Sequence, residues 1–357
     1  MDALRARWLA PTLALLAAGG PAVLAVDAES TAPPAVTAAV TEEAAAGERD
    51  SPTGRRYQIR YRLDTRAMGS SEGPTTLDVM AAEAEITGEI GQHLEYAVQI
   101  PLYTSMEGRG RDMHFGNLYA IYRRKLGEPT VKLGQFVIPF GNLPDYETHT
   151  RPVQTLYRYS VGVRIDPGVE VEGFLGRETT FQVALTTGNG AFRSDNNGNK
   201  VLTARLSRTI TVGADELRLG LSALAGVLPV FSLMSDPVMG TAQVLEFSHK
   251  QRVALDAEYS RGPLLLRAEV VAGDDDGRGA YGHWLQVSYP LSYQTSLEAG
   301  TERWSQFSGA LTGYWAGVEH KLNDRQTLRL VLQQSRAREG GMRMDETMVT
   351  AQLLVEF

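Results

Sequence analysis

The sequence predicts an all-β fold, a 16-stranded antiparallel transmembrane β-barrel with short periplasmic turns and longer extracellular loops. Three observations predict it. Apolar and polar side chains alternate with period two from residue 55 onward. Most alternating segments span about 9–13 residues, whereas a tilted strand needs about 9–11 to cross a bilayer and globular strands average about 5–6. The connections between segments alternate between short and long, as in outer-membrane barrels.

The first strand shows the alternation most clearly. Tyr57, Ile59 and Tyr61 share one face, and Arg60 and Arg62 lie on the other. In a barrel the apolar face contacts lipid and the arginines line water. The predicted strands are 56–66, 76–88, 92–102, 113–124, 130–138, 159–173, 179–187, 199–208, 215–225, 249–260, 264–272, 281–289, 293–304, 312–321, 326–335 and 346–357.

The connections fall into two sets. The short set is 89–91, 125–129, 174–178, 209–214, 261–263, 290–292 and 322–325. The longer set is 67–75, 103–112, 139–158, 188–198, 226–248, 273–280, 305–311 and 336–345. An even strand number places both ends of the barrel chain on the periplasmic side. Asp166-Pro167-Gly168 interrupts the sixth strand, where proline is expected only at a bulge.

The two ends of the chain carry delivery signals. Arg5 and Arg7, an apolar run and a small-residue site at Ala25 predict a signal peptide over residues 1–25, with a single membrane anchor as the alternative. Residues 26–54, rich in Ala, Thr, Glu and Pro, predict a disordered periplasmic lead-in or a short helix that enters the barrel. At the other end, an alternating strand ends in Phe357, the signal that β-barrel assembly machinery reads.

Composition excludes several functions. The chain has a net charge of −7, of which −4 lies in residues 1–50, so the predicted barrel over residues 55–357 is nearly balanced and a nucleic acid is not an expected partner. The absence of cysteine excludes disulfides, thiolate metal sites and covalently attached c-type haem. No cofactor is expected.

Several passages carry a family resemblance. Tyr119–Gly127 followed by Val131-Lys-Leu-Gly-Gln-Phe-Val-Ile-Pro-Phe-Gly141 is similar to a strand, turn and G-Q-F-x-x-P-F-G passage of the phosphate-selective porin O/P family. Ser160–Arg164, Phe181–Gly190 and Leu264–Val271 follow in the order of that family. The resemblance covers roughly residues 55–357.

The resemblance implies an outer-membrane channel, usually a homotrimer in contact with outer-membrane lipid and lipopolysaccharide. It also implies a third outer loop, here 139–158, that folds inward and carries Glu147, Arg151 and Arg158. The phosphate-selective members line their anion path with many lysines and arginines. This chain has only Lys125, Lys132, Lys200, Lys250 and Lys321, so only the fold and the pore role are carried over.

The alternation assigns candidate pore-lining residues. The basic candidates are Arg56, Arg60, Arg62, Arg164, Arg205, Arg218, Arg252, Arg267 and Arg329. The resemblance adds Glu147, Arg151 and Arg158 of the loop 139–158 as candidates at the constriction. Acidic residues of the same faces include Glu83, Asp256, Glu258, Glu269 and Glu319. Charged rings select ions by their field, but each charge can equally belong to a structural ion pair.

Other candidates for chemistry are weak. The run Asp274-Asp275-Asp276-Gly277 lacks the spacing of a calcium loop and predicts a solvated loop tip. The six histidines form no metal-binding spacing, and no metal site is predicted. Glu298 and Glu302 share a face, which leaves an outer-membrane hydrolase as a remote alternative, but an enzyme is not expected.

The predicted function is therefore an outer-membrane porin, a water-filled channel for passive diffusion of small ions or solutes, with anions such as phosphate as one class. The alternative is a barrel scaffold of an outer-membrane electron conduit that sheathes a periplasmic multihaem cytochrome. Such a scaffold binds no haem itself, so the lack of cysteine does not exclude it.

Overall fold

The structure is a computed structural model, and it describes residues 56–71, 75–104, 116–125, 127–142, 153, 159–190, 198–234 and 244–357. The chain divides into two compact units, Met1–Ala44 and Ala45–Phe357, and all described residues belong to the second. The predicted signal peptide and lead-in, residues 1–25 and 26–54, lie outside the described residues. Among the described residues, no helix has both the length and the apolar character to cross a membrane.

Sixteen antiparallel strands close into a barrel in which each strand pairs with its neighbours in sequence and β1 pairs with β16, which confirms the predicted fold. The strands are β1 Arg56–Ser70, β2 Thr76–Ile90, β3 Leu94–Thr104, β4 Leu118–Arg123, β5 Thr130–Val137, β6 Ile165–Phe174, β7 Thr179–Thr186, β8 Val201–Val212, β9 Asp215–Phe231, β10 Val244–Arg261, β11 Leu264–Asp275, β12 Arg278–Pro290, β13 Thr295–Gln306, β14 Gly309–Asn323, β15 Gln326–Glu339 and β16 Met342–Glu356.

Phe357 closes the barrel. Its backbone N–H donates to the Tyr61 carbonyl at 2.9 Å, and its carbonyl accepts from the Tyr61 N–H at 3.1 Å. These bonds extend the β1–β16 ladder by one residue, so the backbone groups of Phe357 are paired with β1. The terminal strand therefore closes the barrel by pairing with β1. Its recognition by assembly machinery is a separate prediction.

The two faces of the wall differ in chemistry. On β10, Arg252, Ala254 and Asp256 are buried inside, and Val253 and Leu255 alternate with them on the exposed outer face. Exposed tyrosines bound the aliphatic band: on β12 Tyr281 and Tyr289 lie eight residues apart, roughly 26 Å along a strand. An aliphatic outer band flanked by aromatic residues is the surface of a transmembrane barrel.

Short turns at 91–93, 124–129, 175–178, 213–214, 262–263, 291–294 and 324–325 define one end of the barrel, the turn end, where the first and last strands also begin and finish. The opposite end, the loop end, carries longer connections at 105–117, 138–164, 187–200 and 232–243.

The prediction of longer loops at 273–280, 305–311 and 336–345 is wrong. At these places the strands continue and are joined by two-residue turns at Asp276–Gly277, Phe307–Ser308 and Gly340–Gly341. Asp276 has φ 51° and Gly277 has φ 78°, and Gly340 and Gly341 are also positive, as type I′ hairpin turns require. The polar side chains there indicate water, but they do not indicate the end of a hydrogen-bonded ladder.

Two further boundaries differ from the predictions. The sixth strand begins at Ile165 instead of residue 159, and Tyr159–Ser160 form a helical turn before it. The ninth strand continues to Phe231 through Pro229, within the predicted longer connection 226–248. Both segments are largely buried inside the barrel, because the chain next to them packs against the inner wall instead of entering solvent.

Candidate channel lumen

Ion pairs between strands line the described part of the inner wall. Arg205 on β8 forms a bidentate pair with Asp256 on β10 at 2.6 and 2.8 Å, and it also donates to Ser222 on the strand between them. Gly220, directly opposite Asp256, leaves the space that the carboxylate occupies. Charges that are buried and paired in this way brace the wall and contribute little net field to a pore.

The other predicted arginines of the inner wall follow the same pattern. Arg62 contacts Glu83 at 2.8 Å and Glu356 at 3.1 Å. Arg218 and Arg267 share Glu258, at 3.5 and 2.5 Å. Arg329 contacts Glu319 at 2.7 Å and Gln352 at 3.1 Å. The structure thus brings these predicted residues together with acids of adjacent strands, not into one cationic cluster.

Three predicted arginines differ. Arg60 is exposed near the turn end, opposite Glu85 in the β1–β2 register. Arg164 lies just before β6, where its carbonyl accepts a hydrogen bond from the Ile138 N–H at 3.0 Å. Arg56 begins β1, and its side chain lies outside the described residues. Glu147, Arg151 and Arg158 of the predicted constriction also lie outside them.

The connection from β5 to β6, residues 138–164, is the third at the loop end, and we call it the third connection. Arg252 holds the end of it that precedes β6. The Arg252 residue is 1% exposed. Its guanidinium donates to the Ser160 carbonyl at 3.0 Å and pairs with the Asp275 carboxylate at 2.5 Å. The Lys250 ammonium, also buried, donates to the Val161 carbonyl at 3.3 Å. The connection from β5 to β6 therefore reaches inner-wall residues of β10, four strands from β6.

The near end of the same connection is held as firmly. The Gly141 N–H donates to Ser222 Oγ at 3.0 Å, and the Asn142 N–H donates to Glu269 at 2.7 Å. Gly141 has φ +58°, and a Cβ there would lie 2.5 Å from the Glu269 carboxylate, so this position requires glycine. Contacts to β9 and β11 at one end and to β10 at the other place both ends of the connection inside the barrel.

The chain after β9 also turns inward. The Leu233 N–H donates to Glu339 on β15 at 3.2 Å, and the Ser232 hydroxyl donates to the same carboxylate. Gln306 on β13 donates to the Phe231 carbonyl at 2.9 Å. This segment therefore packs against strands four to six positions away around the barrel, near the loop end.

An apolar cluster joins the two inward segments. From the third connection it includes Ile138, Phe140, Val153, Tyr159 and Val161. From the wall it includes Leu224 and Leu228 of β9 and the tryptophans of β12, β13 and β14, of which Trp284 and Trp315 stack with ring centres 6.3 Å apart. The chain itself thus fills part of the lumen beside β9–β15 and narrows what remains.

Several inner-wall residues were not predicted from the sequence. Lys132 pairs with Glu170 at 2.7 Å, and its alternation with Val131 and Leu133 was the signal that could have placed it. Asp275 was assigned to a solvated loop tip, which is wrong, because it lies on β11 and is buried against Arg252. Among the described residues, no group of three or more His, Asp or Glu side chains is arranged to hold a metal ion.

Asp166, in the Asp166-Pro167-Gly168 passage, is a hydrogen-bond acceptor for the turn after β7. The Thr187–Gly190 turn after β7 surrounds Asp166 at the start of β6. The Thr187 hydroxyl and the N–H groups of Gly188 and Gly190 donate to its carboxylate at 2.9, 2.5 and 2.9 Å. These bonds fix the loop end of the β6–β7 hairpin.

Comparison with known proteins supports the fold. No family model and no curated protein matches the chain. Among solved structures, a trimer form of OmpT, an outer-membrane protein of Vibrio cholerae, has a TM-score of 0.62 at 14% identity, covering 85% of this chain and 99% of its own. The anion-selective porin from Comamonas acidovorans gives 0.61 at 13% identity, with 85% and 100% covered. The outer-membrane channel DcaP of Acinetobacter baumannii gives 0.60 at 11%, with 87% and 99% covered. The chain therefore shares the closed sixteen-stranded barrel of these proteins, at identities that establish the fold alone.

Proposed function

We propose that the protein is an outer-membrane porin that forms a water-filled channel for passive diffusion of small ions and solutes. One observation carries the proposal: a closed barrel has an aliphatic outer band and a polar, charged inner wall. Water is the only medium that suits such a lumen, and lipid the only one that suits the outer band. The role is not enzymatic.

In this proposal the turn end faces the periplasm and the loop end faces the outside of a Gram-negative cell. The chain arrives through the signal peptide over residues 1–25, and assembly machinery recognises the strand that ends at Phe357. The trimer form of OmpT and the resemblance of residues 119–141 to the porin O/P family support a homotrimer.

The electrostatics of the lumen favour weak ion selectivity. Arg62, Arg205, Arg252, Arg267 and Arg329 each lie against an acid, so little unbalanced field remains on the part of the wall that the structure describes. The anion-selective porin from Comamonas, a structural neighbour, supports anions as permeant solutes, and the resemblance of residues 119–141 to the phosphate-selective porins supports phosphate among them. Because the described wall charges are paired, we nevertheless expect similar permeabilities for anions and cations.

Purified protein in planar lipid bilayers should give stepwise single-channel currents. In a potassium chloride gradient the reversal potential should correspond to permeabilities of the two ions within about a factor of three of each other. Bilayers that show no current steps would refute the channel. A reversal potential that indicates strong preference for anions or for cations would refute weak selectivity. The same bilayers exposed to detergent alone provide the baseline.

The cytochrome scaffold is less well supported. A sheath must leave its inner wall free for the partner, yet beside β9–β15 the wall is covered by the chain's own residues, among them Phe140, Tyr159 and Leu233. A pull-down of the tagged protein that recovers a multihaem cytochrome would reverse this preference.

A further inference from the structure

Four arginines project outward near the loop end of β13, β15 and β16. Arg303 lies between the inward, buried Glu302 and Trp304. Arg336 and Arg338 flank the inward Ala337, and Arg343 precedes Met344, which packs towards the inner cluster. Alternation therefore directs all four guanidiniums to the outer surface, and all four residues are exposed. We call Arg303, Arg336, Arg338 and Arg343 the arginine patch.

The strand register brings the patch together. Arg303 faces Thr312 on β14, and Thr312 faces Arg336 on β15. One row further towards the loop end, Arg338 lies directly opposite Arg343. Because neighbouring strands are about 4.8 Å apart, the patch spans roughly 15 Å of the outer surface.

Among the described residues, the charge of the patch is only partly balanced. Asp345 contacts Arg343 at 2.5 Å and Arg336 at 3.7 Å. It is the only acid among the described outward residues at the loop end of β12–β16. Four guanidiniums against one carboxylate leave an excess of positive charge, and two like charges directly opposite each other, Arg338 and Arg343, destabilise the strand pair. An external anion that bridges them would remove this repulsion.

The height of the patch identifies the kind of anion. Tyr314 pairs with Gln334 one row nearer the turn end, and below it the outer face is aliphatic, with Leu332 and Leu330 exposed on β15. The arginines therefore lie just beyond the aromatic border of the lipid-facing band. In a membrane this is the headgroup layer.

We infer that the arginine patch binds the phosphate groups of anionic lipid headgroups in the outer leaflet. Guanidinium groups bind phosphate oxygens in bidentate fashion, and the position beside the aliphatic band lets the acyl chains of the same lipid contact Leu332 and its neighbours. The inference rests on the proposed membrane orientation, in which the loop end lies in the outer leaflet.

The test measures binding of defined lipids to the purified full-length protein in neutral detergent, by native mass spectrometry. The probes are bisphosphorylated lipid A and the same lipid without phosphates, with inorganic phosphate as competitor. The test variant is Arg303→Gln/Arg336→Gln/Arg338→Gln. The matched control, Arg177→Gln/Arg261→Gln/Arg325→Gln, removes the same charge from exposed positions at the turn end.

The patch variant should bind bisphosphorylated lipid A about tenfold more weakly than the unmodified protein, and the control should stay within about twofold of it. The lipid without phosphates should bind the unmodified protein no better than it binds the patch variant. Equal binding by the patch variant would overturn the inference, and so would displacement of the lipid by low millimolar inorganic phosphate, which would indicate a site for free anions.

Single-channel conductance separates this inference from the proposed function. The patch faces away from the lumen, so the patch variant should conduct as the unmodified protein does. Its folded, heat-resistant band on unboiled gels shows that the barrel has assembled. A silent unmodified protein would refute the channel, whereas unchanged lipid binding in a conducting variant would refute the arginine patch.

Discussion

Replacing Arg252 by methionine should raise single-channel conductance and lower the stability of the barrel. The guanidinium holds the Ser160 carbonyl of the third connection and neutralises buried Asp275. Removing it loosens one end of the inward segment, where the bond from Lys250 to the Val161 carbonyl remains. It also leaves a buried carboxylate without its partner, which costs about 3–5 kcal/mol. Planar-bilayer recordings measure the first effect, and the temperature at which the heat-resistant band disappears measures the second.

The double variant Arg252→Met/Asp275→Leu separates the two effects. It removes the orphaned carboxylate, so the thermal stability should largely return, while the conductance should stay high because the Ser160 carbonyl has still lost its donor. Arg267→Met is the matched control: its ion pair with Glu258 involves no residue of the third connection, so conductance should not change. If Arg252→Met conducts like the unmodified protein, the described anchor does not restrict the channel.

An arginine in place of Leu330 should destabilise the barrel in lipid by about 2–4 kcal/mol, whereas an arginine in place of Gln334 should cost about 0–1 kcal/mol. Both residues lie on the outer face of β15, and Leu330 is 54% exposed in the isolated chain. They differ by four residues along the strand, roughly 13 Å, which places Leu330 near the middle of the aliphatic band and Gln334 beside Tyr314 at its edge.

Urea titrations of the barrel folded into phospholipid vesicles give the free energies of unfolding for the two variants. The comparison tests the membrane directly, because water would tolerate both arginines equally well on an exposed face. Equal free energies for Leu330→Arg and Gln334→Arg would contradict a lipid-facing band. A larger loss at Gln334 would mean that the band has been placed at the wrong height.

The alternation of apolar and polar side chains was sufficient to predict the strands that form the barrel wall. Alternation of side chains over residues 56–356 predicted sixteen strands, and the structure confirms that number and the closure between β1 and β16. The prediction succeeded because a barrel strand separates lipid from the lumen, so its two faces must differ in polarity at every second residue. The three wrong loops near Asp276, Ser308 and Gly340 show the limit of this signal, since polarity outside the membrane does not distinguish a strand from a loop.

Only the tertiary structure determines which partners the inward-facing charged residues contact. The sequence placed Arg205 and Asp256 on inner faces, but they lie two strands and about fifty residues apart, and only the register of three strands brings them to 2.6 Å. Asp275 and Glu339 were assigned to loops, and tertiary contacts make them buried anchors. Periodicity determines which face a residue occupies, whereas its partner depends on long-range pairing that no local pattern encodes.

For this protein the sequence alone determined the barrel, its strand number and the polarity of its two surfaces, because these follow from a period of two. Only the tertiary structure decided how open the lumen is. The segments around Gly141, Ser160 and Leu233 turn inward because wall residues from distant strands supply their hydrogen-bond partners. The same wall also supplies apolar side chains against which these segments pack. Those partners are set by the closure of the whole sheet, and closure is a property of all sixteen strands together.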